Sequence, residues 1–196
     1  MAQCAMTFDE FLRWEPEGGF TEWIDGLGVQ YMSVTKHHQA VVQFLVVLLT
    51  VFVNIRKLGQ VLTAPYAMRA KPEGSAREPD LFFVSQARIN LIHESHLEGP
   101  ADLAIEVISD ESVTRDRVEK FDEYQEAGIK EYWIIDPRPG RQRALFFVLN
   151  DGQFVPVKPD ANGIYRSSVL VGLSLNIAWL WDESPDIPKI LIEIAS

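Results

Sequence analysis

The sequence is poor in cysteine, poor in positive charge, and lacks an uninterrupted apolar stretch long enough to span a bilayer. Cys4 is the single cysteine in 196 residues. An internal disulfide is therefore excluded, and with four scattered histidines so is the ligand spacing of a zinc site. No histidine lies near Cys4 to make it a thiol catalyst, and a reducing cytoplasm is the expected location. Lys and Arg together number 18 against 28 Asp and Glu, giving a net charge of −10 and a pI near 4.8. This excludes the broad basic footprint from which most nucleic-acid binders draw affinity, although a local basic rim around an acidic centre is still compatible. The longest apolar run, Val41–Val53, is broken by Gln43 and Thr50. It falls short of the roughly 20 residues of a membrane crossing and reads as a core helix, so no membrane partner is expected. A basic segment leading into an apolar one is missing at the N-terminus, so no secretory leader is expected. Glycine-rich phosphate loops are missing too: Gly18-Gly19 and Gly26/Gly28 lack the required context.

What is present is ordinary for a globular chain, with 47% hydrophobic and 23% charged residues. The length suits one domain over residues 1–196, with its core at about 5–180 and a tail, 182–196, of unassigned role. Thr7 and Glu10 have capping-box spacing ahead of Phe11, predicting a short opening helix. Phe20–Ile24 and Leu27–Met32 flank Asp25-Gly26, a hairpin turn. A long apolar helix over about His38–Arg56 follows, ending before Gly59. Gln60–Ala70 and Leu81–Val84 read as an antiparallel pair, and Asn90–Pro100 as a loop with a short helical turn. Asp102–Ser109 is the clearest strand, Ser112–Ala127 the clearest amphipathic helix, and Glu131–Asp136 the next strand. Ala144–Leu149, Gln153–Val157 and Val169–Leu175 add further strands. This order indicates an α/β or α+β fold with a mixed sheet.

Glu106 carries the most information. Strand alternation places it on one face with Ala104 and Ile108. A carboxylate among aliphatic neighbours is costly to bury without a compensating cation; the bland alternative is an edge strand with Glu106 in water or paired with an arginine. Asp80 sits at the mouth of Leu81–Val84 behind Pro79, a dipeptide that ordinary turn chemistry also explains. Together the two acids make a two-carboxylate site for a hard cation such as Mg²⁺. Asp116, Lys120 and Tyr124 form one helical stripe. Lys120 either serves phosphate chemistry or pairs with Asp116 at the surface for about 0.3–0.5 kcal/mol. Trp133, Trp179 and Trp181 lie outside basic stretches and read as core or interface residues rather than base-stacking platforms.

The stretches Thr21–Gly26, Glu78–Val84, Ala104–Ser109, Arg115–Lys120 and Ala127–Pro137, in this order and spacing, resemble the Uma2 family, also known as DUF820, over about residues 5–180. That family belongs to the PD-(D/E)XK restriction-endonuclease-like superfamily. The resemblance implies a restriction-endonuclease-like core with an N-terminal helix and hairpin and additional C-terminal strands. Position by position, the PD motif falls on Pro79-Asp80 and the (D/E)XK motif on Glu106-Val107-Ile108. Ile108 stands where the motif lysine belongs, and Lys120 matches the helix lysine that takes over in relatives of this type. The resemblance further implies that Asp80, Glu106 and the Val107 carbonyl hold Mg²⁺ (or Mn²⁺), with Lys120 as the third catalytic residue.

Two accessory positions follow from the same resemblance. Glu22 matches a hairpin glutamate, equally readable as an exposed strand residue. His38 matches a histidine at the start of the long helix, where it could equally be a helix-entry hydrogen bonder, with His37 beside it. The expected activity is metal-dependent endonuclease cleavage of phosphodiester bonds, with DNA ahead of RNA as partner. The alternative is a non-catalytic module of the same fold for binding or assembly, favoured by Ile108 and the acidic balance; Phe146–Phe147 and Trp179–Trp181 would then offer a homodimer interface.

Overall fold

The computed structural model of the chain describes residues 2–14, 20–31, 35–72, 74–109 and 118–195. A short strand, β1 (Ala2–Ala5), precedes α1 (Phe8–Phe11). The capping box is formed: Thr7 accepts from the Glu10 amide, and the Glu10 carboxylate accepts from the Thr7 amide at 2.7 Å. β2 (Phe20–Ile24) and β3 (Leu27–Tyr31) make the hairpin, with Asp25 and Gly26 both at positive φ (48° and 81°) in the turn that suits strand twist. The Thr35 side chain caps α2 (Lys36–Arg56) by accepting from the His38 amide.

After α2 the chain runs through β4 (Gly59–Thr63), β5 (Ala67–Arg69), β6 (Ala76–Arg77), β7 (Leu81–Ser85), β8 (His96–Glu98) and β9 (Leu103–Val107). It continues as α3 (Lys120–Ala127), β10 (Glu131–Asp136), β11 (Arg143–Asn150), β12 (Gln153–Val157), β13 (Ile164–Arg166), β14 (Ser174–Asn176) and α4 (Ile187–Ala195). The strands form one six-stranded sheet in the order β1-β3-β2-β6-β5-β8, a second in the order β12-β11-β10-β9-β7-β4, and a β13-β14 ribbon. The fold is thus mixed α/β. The β9-β10 pair is parallel with α3 between its strands, and the neighbours of that pair, β7 and β11, run antiparallel.

Both faces of the second sheet are covered, which explains why β9 and β10 read as continuous apolar runs. On one face Leu81, Phe83, Leu103, Ile105, Val107 and Ile135 meet Leu45, Leu48 and Phe52 of α2, with Ile190 and Ile194 of α4 in the same core. On the other, Phe82, Val84, Ala104, Ile108 and Ile134 meet Tyr124 of α3, Met68 of β5 and Leu97 of β8. Each such side chain contributes about 1.5–3 kcal/mol. α2 is long and apolar enough to cross a membrane by length and composition; in this fold its Val41, Phe44, Leu45, Leu48, Leu49, Phe52 and Val53 are buried. Gly59 lets β4 close on β7: at φ 151° a β-carbon there would sit 2.0 Å from the Val84 carbonyl oxygen.

Four expectations need revision, and the unassigned tail acquires a structure. Gln60–Ala70 is two strands: Pro65 lacks the amide needed to continue the ladder, so only β4 pairs with β7, and β5 joins the other sheet. Asn90–Pro100 contains β8, beside β5. Val169–Leu175 is largely a turn, and its end enters β14 because Ser174–Asn176 finds a partner in β13. The tail carries α4, whose apolar side chains have α2 to pack on. Phe146 is unavailable to an interface: it is buried and stacks on Tyr165 at 3.7 Å between ring centroids. The proposed helix start at Ser112 lies outside the described residues, as does Asp116; the α-helix is described from Lys120.

Candidate active site

The candidate carboxylates lie on neighbouring strands, one met by α2 and the other by α3. β7 pairs with β9 in the register Leu81 to Ile105; one step further along that ladder, Asp80 falls beside Glu106. Asp80 Oδ2 accepts a hydrogen bond from the Val107 amide at 2.7 Å, so the first acid is bonded to the backbone of the strand that carries the second. Its Oδ1 lies 3.2 Å from Nε2 of His38, in the first turn of α2. His38 thus has an amide held by Thr35 and a ring aimed at Asp80, while its buried Nδ1 has no hydrogen-bond partner among the described residues.

Glu106 is 2% exposed, on the sheet face that receives α3. The Lys120 ammonium stands 2.9 Å from Glu106 Oε1, to which Tyr124 also donates at 2.8 Å. The same ammonium stands 2.9 Å from Glu22 Oε1, and Glu22 is likewise 2% exposed. Lys120 is therefore a buried cation bridging an acid of β2 in one sheet to an acid of β9 in the other. Ile108 is fully buried in the apolar cluster beneath Tyr124, so the strand position is closed and the helix supplies the ammonium.

A second buried cation lies alongside. Arg77 donates from Nη1 to Glu22 Oε2 at 3.0 Å and from Nε to Glu123 Oε2 at 2.8 Å, while its Nη2 bonds Glu123 Oε1. Burial alone would lower the guanidinium pKa; the hydrogen bonds it donates to Glu123 and the charge of Glu22 more than offset it and raise it. Glu78 accepts from the Thr21 amide at 3.1 Å and from its hydroxyl at 2.9 Å. Burial pushes the Glu78 carboxyl up to about 7, and the neighbouring charge of Glu22 adds to this against the pull of Thr21 and Lys120. Burial, and then the Glu106 charge, hold the Tyr124 phenol well above its usual range, so it is a hydrogen-bond donor here.

The arrangement therefore brings together Glu22, Glu106 and Lys120, while Asp80 and His38 form a pair tied to the backbone amide of the residue after Glu106. Composition gave no hint of Arg77, Glu78 or Glu123: their partners lie 46 to 57 residues away in sequence. Tyr124 had a signal, its spacing of four from Lys120, that places both on one helical face.

Asp80, Glu106 and the Val107 carbonyl are all-oxygen donors, the chemistry that a hard divalent cation prefers. The His38 and Lys120 contacts occupy both acids, and among the described residues no three His, Cys, Asp or Glu side chains form a group that could hold a metal ion. The donor set fits Mg²⁺ or Mn²⁺ in kind.

A family model described as "Uma2: Putative restriction endonuclease" matches residues 8–178. A crystal structure described as "a putative nuclease belonging to DUF820", from Anabaena variabilis ATCC 29413, superposes with a TM-score of 0.71 at 17% identity, covering 95% of this chain and 99% of that one. At that identity the likeness concerns the fold. No curated protein matches the chain.

Proposed function

The chain belongs to the Uma2 family, and from that premise we propose that it is a divalent-metal-dependent nuclease acting on DNA ahead of RNA, with its site at Asp80, Glu106 and Lys120. The single observation that carries the reading is Lys120, a buried ammonium held within 2.9 Å of both Glu106 and Glu22. A purely structural core gains little from such a cluster, because desolvating its three charged groups costs several kcal/mol per ion.

Asp80, Glu106 and the Val107 carbonyl would hold Mg²⁺ or Mn²⁺. When bound, the ion polarises the phosphodiester and lowers the pKa of a water molecule. Lys120 would orient the attacking water and meet the charge that develops on phosphate as the P–O bond to the leaving group breaks. Tyr124 keeps Glu106 in place through its hydroxyl hydrogen bond. His38 orients Asp80, and Glu22 retains Lys120 at the site.

A second reading, a non-catalytic module of the same fold, draws on one specific observation: both acids are already bound by Lys120 and His38. Nicking of supercoiled plasmid DNA with Mn²⁺ and with Mg²⁺, alongside calorimetric titration of each ion, separates the two. The nuclease reading expects ion binding and ion-dependent nicking, both lost in Asp80→Ala. Identical behaviour of the wild type and Asp80→Ala overturns it.

A further inference from the structure

We propose that Arg77 is a positioning residue: it clamps α3 through Glu123, and Glu22 through its Oε2, in the one arrangement from which Lys120 reaches Glu106. The catalytic consequence rests on the nuclease reading, whereas the clamp itself is a geometric claim that can be tested apart from it.

A lysine in a strand is aimed by the sheet, because strand alternation sets its direction. Lys120 sits instead in the first turn of α3, directly after Val118 and Glu119, which are themselves helical. The contacts that seat this helix on the sheets therefore set where its ammonium points.

Phe121, Gln125 and Glu126 tie α3 to Phe147, Phe154 and Lys71, and two further contacts lie nearest to Lys120. Tyr124, one turn on, packs in the apolar cluster and fixes the helix on the sheet side. Arg77 fixes the other side, where its Nε and Nη2 engage both oxygens of Glu123, a forked geometry that restricts rotation as well as distance. Glu119, flanking Lys120, lies 4.0 Å from the same Nη2. The third arm, Nη1, holds Glu22, the acid on which Lys120 also rests. Arg77 thereby sets both the helix that carries the lysine and one of the two carboxylates that receive it. Arg77 grips Glu123 at both oxygens while it holds Glu22, a forked contact that a lysine at 77 would not reproduce.

The glutamate of the clamp gives the sharper test. Glu123 is 40% exposed, and an ordinary surface pair of that exposure contributes little. Removing Arg77 outright would leave Glu22 buried without that cation and endanger folding, so Glu123→Gln and Arg77→Lys are the variants of choice. Lysine acetylation by trace acetic anhydride, read by peptide mass spectrometry as the rate at Lys120 relative to exposed Lys158, reports whether Lys120 is held. Both variants, with unchanged urea midpoints, are expected to acetylate Lys120 about tenfold faster, the rate equivalent of about 1.4 kcal/mol.

In parallel, Mn²⁺-dependent nicking of supercoiled plasmid DNA is expected to fall about 10- to 100-fold in both variants, with the half-saturating DNA concentration unchanged. Lys120 acetylation within twofold of the wild type in both variants overturns the clamp. Should the wild type cleave no DNA, the nuclease reading fails while the acetylation ratios still decide the clamp.

Discussion

Nε2 of His38 stands 3.2 Å from Oδ1 of Asp80, tying the first turn of the long apolar helix to the mouth of the strand that carries the first acid. The other oxygen of Asp80 is fixed by the Val107 amide. A carboxylate held at both oxygens is preorganised for a cation, and groups that orient ligands typically affect metal affinity by 10- to 100-fold. His38→Ala is therefore expected to weaken Mn²⁺ binding about tenfold in a calorimetric titration while leaving the helix content unchanged. Affinity equal to the wild type would reduce His38 to a helix-capping role.

Lys120→Met removes the cation between Glu22 and Glu106 and leaves two buried carboxylates facing one another. Breaking a buried pair in this way costs about 3–5 kcal/mol. Urea unfolding at neutral pH is expected to show a loss of that size, and Glu106→Gln a smaller one, because Tyr124 and Lys120 can still donate to an amide oxygen. A Lys120→Met protein as stable as the wild type would mean that the ammonium is solvated in solution.

Ile108→Lys would restore the motif's usual residue without restoring its chemistry. Ile108 is fully buried among Tyr124, Ile129 and Ile134, so the new ammonium would enter an apolar cluster beside Lys120. The expected outcome is a loss of about 3 kcal/mol or more in urea unfolding, and no recovery of nicking when Ile108→Lys is combined with Lys120→Met. Recovery in that double variant would show that the strand position is open.

Glu78 supplies a pH dependence with a definite sign. Its ordinary value is 4.5, and in the folded chain it is pushed up to about 7. Between those values the folded chain binds a proton that the unfolded chain releases. The stability from Glu78 is thus fully present below pH 4.5, is lost as pH rises through about 7, and then levels. The total drop attributable to this residue is of the order of 3 kcal/mol. Urea midpoints at pH 5, 6, 7 and 8 should show it in the wild type but not in Glu78→Gln, whose amide can still meet Thr21. An identical pH slope in both proteins would refute the assignment.

Glu131 tests whether every buried acid belongs to the site. Its carboxylate accepts from Trp133, Tyr165, the Ser167 and Ser168 hydroxyls, and the Ser168 and Val169 amides. It pins the start of β10 to the segment after β13 and touches neither Asp80 nor Lys120. A neutral amide cannot satisfy all of those donors. Glu131→Gln should cost about 2–3 kcal/mol in urea unfolding, with Mn²⁺ affinity unchanged within twofold. A weakened Mn²⁺ affinity would link this hub to the site.

Much of the architecture was legible because it is local. Thr7 and Glu10 wrote the capping box, Asp25-Gly26 wrote the hairpin turn, and the apolar runs at Asp102–Ser109 and Glu131–Asp136 marked β9 and β10 as strands. Glu106 stood out because a charged residue interrupted such a run. The division of Gln60–Ala70 between two sheets was far less legible, since the fate of Ala67–Arg69 depends on β6 and β8 rather than on its own composition. The burial of Glu22 was equally hidden: its hairpin could present that residue to water or to a second element.

The sequence by itself determined which acids and which lysine were available and in what order, since strand alternation and helical spacing need only near neighbours. Only the tertiary structure decided that Lys120 turns inward to Glu106 and Glu22, that Arg77 holds Glu22 and Glu123, and that Ile108 closes the strand position. Those contacts join residues 14 to 98 positions apart, and whether a buried charge is tolerable depends on which opposite charge the fold brings to it.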